Sequence, residues 1–163
     1  MIGKSIISRG DKVMSKQRKD KEAAASALHK VLDGERLSIR AYNSSLHQIS
    51  DEQTQKLLSA FKDDHKLIIE RLKSRMRSLN IEPKSKLGVL ELIDKAMMEV
   101  ANVVGLGPKD KEIIEKIYNN EARGLQKIKS VEVSPLDSQS QKLINRIKTI
   151  NTNNLDQLKD LLS

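Results

Sequence analysis

The stretch LHKVLDGERLSIRAYNSSLHQI, residues 28–49, decides how the chain is read. Its apolar members Leu28, Val31, Leu32, Ile39, Tyr42, Leu46 and Ile49 recur every three or four residues, the repeat of one face of an α-helix. One charged residue shares that face: Glu35 lies seven residues after Leu28 and seven before Tyr42. An ionisable group on a core stripe is costly unless it is paired, hydrogen-bonded or bound to a metal. What meets Glu35 is therefore the question that the rest of the sequence has to answer.

Working outward, the periodicity predicts a first long helix from about Asp20 to Gln48. Gly34 in its interior costs roughly 1 kcal/mol relative to Ala and is expected to permit a close helix contact. Ser50 is expected to cap a second helix, with Gln53 completing a capping box. Its seam reads Leu58, Phe61, His65, Ile68 or Ile69, Leu72, Met76 and Leu79, and the polar stretch Asn80 to Lys86 with Pro83 ends it. The short connection between these helices implies antiparallel neighbours. A shorter segment, Gly88 to Val104, is apolar over a wider arc, and Gly105-Leu106-Gly107-Pro108 stops it. The next helix is expected from Pro108 to Lys129 with seam Ile114, Ile117, Tyr118, Glu121, Leu125 and Ile128. Ser134-Pro135 then reads as cap and first position of a last helix, whose seam is Leu143, Ile144, Ile147, Ile150 or Asn151, Asn154, Leu158 and Leu161.

Composition agrees with an all-α chain. Phe61, Tyr42 and Tyr118 are the full aromatic set, and seven Gly and three Pro are few breakers for 163 residues. The absence of cysteine removes disulfides, thiolate metal sites and thiol nucleophiles. No P-loop, dinucleotide fingerprint, nucleophile elbow or zinc motif is present, and no catalytic residue is identified. No apolar run approaches the roughly 18 residues of a membrane span, and Met1 to Lys21 lack a signal-peptide core, so a soluble cytoplasmic protein is expected.

The net charge of +8 is uneven. Residues 1–21 hold Lys4, Arg9, Lys12, Lys16, Arg18, Lys19 and Lys21 against only Asp11 and Asp20. A basic, flexible arm over 1–19 and a bundle over 20–163 are expected, the arm being a candidate for an anionic surface or nucleic acid. It carries no aromatic to stack on bases. Lys66, Arg71, Lys73, Arg75 and Arg77 read as a solvated basic face, and His29 and His47 as surface residues.

Four seams carry polar residues in register: Glu35, then Lys62 and His65, then Glu121, then Asn151 and Asn154. With this layout the chain resembles the ferritin-like superfamily, whose metal-binding members place one Glu on each of two helices and Glu-x-x-His on each of the other two. It is similar to an uncharacterised bacterial branch of that superfamily, in Asp33-Gly34-Glu35 with Tyr42, Phe61 to Leu72, Ala96 to Gly105, Ile113 to Ile128 around Asn120-Glu121, and Asn154 to Leu162. The resemblance covers residues 25–162 and implies a ferritin-like antiparallel four-helix bundle with one short extra helix between its two hairpins.

The family pattern matches at Glu35, His65 and Glu121 and departs from it at Lys62, Asn151 and Asn154. The amides bring no charge to offset divalent ions, and the Lys62 ammonium would repel them. The six residues are therefore expected to form a buried polar network in which Lys62 pairs with the carboxylates in place of metal. Such a protein would be non-enzymatic, acting as a homo-oligomer or by binding a protein partner, with no cofactor. Iron or manganese on Glu35, His65 and Glu121, as in a metal-handling oxidase, is the alternative. Nucleic-acid or anionic-surface binding through the arm is the second.

Overall fold

The computed structural model describes residues 9–84 and 110–163. Helix α1 spans Arg9–Ser45, and a 3₁₀ turn at Leu46–Gln48 leads into α2, Glu52–Ser78. Helix α3 spans Asp110–Lys129 and α4 spans Ser138–Leu162. No strand occurs among the described residues. The expected helix over 88–104 and the start at Pro108 lie outside them.

Local signals differ from the sequence reading in four places. Helix α1 begins at Arg9 rather than near Asp20, because Lys, Arg, Gln and Ala favour the helix and nothing between Asp11 and Asp33 breaks it. Most of the basic arm is thus a continuation of α1. The cap of α2 is Asp51, one residue past Ser50, and its carboxylate accepts from the Thr54 amide at 2.7 Å. Asp137, not Ser134, caps α4 by accepting from the amides of Gln139 and Ser140. A Cβ at Gly34 would meet nothing of the described residues within 4 Å, so among them no close helix contact explains it. Helix α2 ends as expected at Asn80, whose φ of 53° lets the Ile81 amide reach back to the Met76 carbonyl at 2.9 Å.

Helices α1 and α2 form one hairpin, and α3 and α4 form the other. Helix α1 also packs on α3, and α2 on α4. Asp110, at the start of α3, accepts from the amides of Ser50 and Asp51 at 2.9–3.0 Å, which places that start beside the α1–α2 turn. At the opposite end His29 of α1 meets the Glu82 carbonyl at 2.9 Å, and Arg75 of α2 bonds Ser140, Gln139 and Asp137 at the start of α4. Every packed pair of helices therefore runs antiparallel, and α3 starts at the end of the bundle opposite to the one where α2 finishes. Arg75, read from sequence as part of a solvated face, is a clamp between α2 and α4.

The core lies in two apolar layers. One gathers Leu28, Val31, Leu32, Ile68, Leu72, Met76, Ile128, Ile144 and Ile147 toward the His29 end. The other gathers Tyr42, Ile49, Leu58, Phe61, Ile113, Ile114, Ile117 and Leu158 toward the α1–α2 turn. Between them, along every helix, the buried stripe turns polar.

Because a Cβ at Gly34 would meet no atom of the described residues within 4 Å, Gly34→Ala is expected to raise stability by about 1 kcal/mol through helix propensity alone. A shift of the urea midpoint to higher concentration with unchanged slope checks this, and a lower midpoint refutes it.

Candidate functional site

Each helix contributes to the polar layer through its own repeat. Glu35 stands between Leu32 and Tyr42 on α1, and His65 between Phe61 and Ile68 on α2. Glu121 stands between Ile117 and Leu125 on α3, while Asn151 and Asn154 fall between Ile147 and Leu158 on α4. All five are at most 4% exposed.

The imidazole of His65 sits between the two carboxylates. Its Nδ1 donates to Glu35 Oε2 at 2.6 Å, and its Nε2 lies 3.4 Å from Glu121 Oε2, an ion-pair distance. Asn151 Nδ2 donates to the second oxygen of Glu35 at 2.9 Å, so both Glu35 oxygens are engaged. Asn154 turns the other way, its Nδ2 standing 3.4 Å from Asp64 Oδ2. The Tyr42 ring lies 5.6 Å from the imidazole, inclined at 35°. The Tyr42 hydroxyl, Glu121 Oε1 and Asn151 Oδ1 are buried without a hydrogen-bond partner among the described residues.

Burial by itself would lower the pKa of His65, but hydrogen bonding and charge from Glu121 and Glu35 outweigh it and push the value up to about 10. The ring is then an imidazolium at neutral pH. The Tyr42 phenol moves well above its usual range, first through burial and then through the nearby charges of Glu121, Glu35 and Asp64.

The structure brings together Glu35, His65, Glu121 and Asn151, with Asn154 at the edge, and it does not bring in Lys62. That side chain is half-buried and forms no ion pair with Glu35 or Glu121. Three residues before His65 it stands about 60° around the helix, at the rim of the stripe, where a long side chain can keep its ammonium in water. The cation of the layer is His65 itself. Of the arm residues, Lys12, Lys16, Arg18, Lys19 and Lys21 are exposed, Arg9 opens α1, and Lys4 lies outside the described residues.

Sequence reasoning did not find Tyr42 or Asp64 as members of this neighbourhood. Tyr42 was legible as apolar seam, and its hydroxyl, one heptad after Glu35, was the available signal. Asp64 adjoins His65 in sequence, but nothing in the periodicity links it to Asn154.

A metal of the ferritin-like kind does not fit this donor set. Glu35 holds one nitrogen of the His65 ring and Glu121 approaches the other, and a single ring presents only one nitrogen to a given ion. The three residues therefore cannot share an ion in this arrangement. Among the described residues no group of three or more His, Cys, Asp or Glu is placed to hold one.

Because the folded-state pKa of His65 is raised above 6.5, its contribution to stability is fully present below that value and is lost as pH rises toward about 10. Urea midpoints measured from pH 6 to 10 should fall more steeply for the native chain than for His65→Gln; parallel curves contradict the assignment. In ¹⁵N spectra at pH 8 both ring nitrogens of His65 should carry protons, and a neutral-tautomer pattern would refute the charge.

Residues 23–132 match a family model described as a domain of unknown function, DUF2383. No curated protein matches. Among solved structures the chain is similar to a two-domain protein from Anabaena variabilis that contains DJ-1/ThiJ/PfpI-like and ferritin-like domains. The TM-score is 0.67 at 18% identity, over 87% of this chain and 39% of that one, so the chain spans well under half of that protein's length. The likeness is one of fold, and it agrees with four antiparallel helices: the bundle has a ferritin-like fold. With two thirds of its length under that model, the chain belongs to the DUF2383 family.

Proposed function

We propose that this chain is a non-enzymatic ferritin-like bundle that works through its outer surface, assembled with copies of itself or bound to a protein partner. In this reading the layer of Glu35, His65, Glu121 and Asn151 stands where metal-binding members of the fold hold two ions, and it now sets helix register. One observation supports the reading: the 2.6 Å contact between His65 Nδ1 and Glu35, which pairs the ring with a carboxylate from another helix. A buried charged network of this kind is best attested as a device for register, and removal of one partner is far more costly than replacement of the whole.

Chain purified from medium supplemented with iron and manganese should retain only traces of either metal after dialysis. Near-stoichiometric metal per chain would overturn the reading. Light scattering should give a mass above the 18.4 kDa of one chain, and a monomer across the micromolar range removes the self-assembly arm.

The same reading makes a stability prediction. His65→Leu alone strands two buried carboxylates and should cost about 3–5 kcal/mol. Replacing Glu35, His65, Glu121 and Asn151 together by Leu or Met should recover most of that loss. If the fourfold variant unfolds as readily as the single one, or if it alone loses assembly, the layer does more than align helices.

A further inference from the structure

Helix α1 continues beyond the bundle. Its first buried residue is Ala24, and every residue from Lys12 to Glu22 is exposed, a projection of about 16 Å at 1.5 Å per residue. Val13 and Met14 lie on this projection at 53% and 71% exposure. They are two of the four large hydrophobic side chains exposed among the described residues, and they are adjacent. Arg18 and Lys21 follow Met14 by four and seven residues, within about 40° of it around the helix, while Lys12, Lys16 and Lys19 form a stripe about 140° from the Val13–Met14 face.

We infer that this projecting helix is a docking element for an anionic lipid surface, lying along it with Val13 and Met14 inserted and Arg18 and Lys21 on the headgroups. Basic side chains flanking an exposed apolar face suit the boundary between headgroups and acyl chains, where both are satisfied at once. A nucleic acid would take the charges and leave Val13 and Met14 in water. A second copy would bring two arms with the same basic excess together.

The inference does not depend on the buried layer.

The test is co-sedimentation of the full chain with vesicles of phosphatidylcholine, alone or with about 30 mol% phosphatidylserine. Partition is expected to be at least tenfold higher on the anionic vesicles and to weaken as salt is raised. The double variant Val13→Asp/Met14→Asp should lower it about tenfold, with helicity by circular dichroism confirming that the bundle is intact. Leu67→Asp, which alters an exposed side chain on α2, should change nothing. Equal partition onto neutral vesicles, none onto anionic ones at low salt, or a double variant that binds as well as the native chain overturns the inference. So does tighter binding to duplex DNA that the double variant leaves unchanged, which would reassign the arm to a polyanion.

Discussion

One imidazolium held between two carboxylates, sealed from water at mid-height of four helices, constrains how this chain can pack. Glu35, His65 and Glu121 come from three different helices, and Asn151 ties in the fourth through the second oxygen of Glu35. A shift of any helix by one turn, about 5.4 Å, would strand a charge in the core, whereas apolar neighbours could tolerate the slip by repacking. The layer also divides the core, with aliphatic side chains on one side and the Tyr42–Phe61 cluster on the other.

The ends of the bundle reinforce the same register by other means. Asp110 accepts two backbone amides from the α1–α2 turn, so the start of the second hairpin is fastened to the middle of the first. At the far end Arg75 reaches Asp137, Gln139 and Ser140, and the pKa of Asp137 is held low: its partial burial opposes ionisation, but hydrogen bonds from Arg75 and Ser140 prevail. That carboxylate serves twice, as the cap of α4 and as the anchor of a guanidinium from α2. Polar contacts at three heights thus define the arrangement of helices whose apolar stripes would by themselves allow several.

Two features separate this chain from a plain bundle, and they lie at opposite extremes of burial. The layer withdraws charge from water and offers no exposed group to a substrate. The projection of α1 exposes both charge and apolar surface, and it is continuous with the helix that carries Glu35. The surface-acting role proposed above would draw on the second feature and leave the first as scaffold.

From the sequence alone, the repeats determined that the chain is helical, which faces are buried, and that Glu35, His65, Glu121, Asn151 and Asn154 ride on those faces, because a 3.6-residue period is a property of one segment at a time. Caps were less legible: Ser50 and Ser134 compete with nearby Asp51 and Asp137, and the stronger acceptor prevails in each case. Partner choice could not be read locally. Lys62 and His65 are both cations within one turn, and only the crossing of four helices decides that the shorter, flatter side chain fits between Glu35 and Glu121 while the longer one stays at the rim. Likewise the arm read as a frayed terminus in sequence, and only the distance between Val13 and the first buried residue, Ala24, established that a helix stands there with nothing of the described chain packed against it.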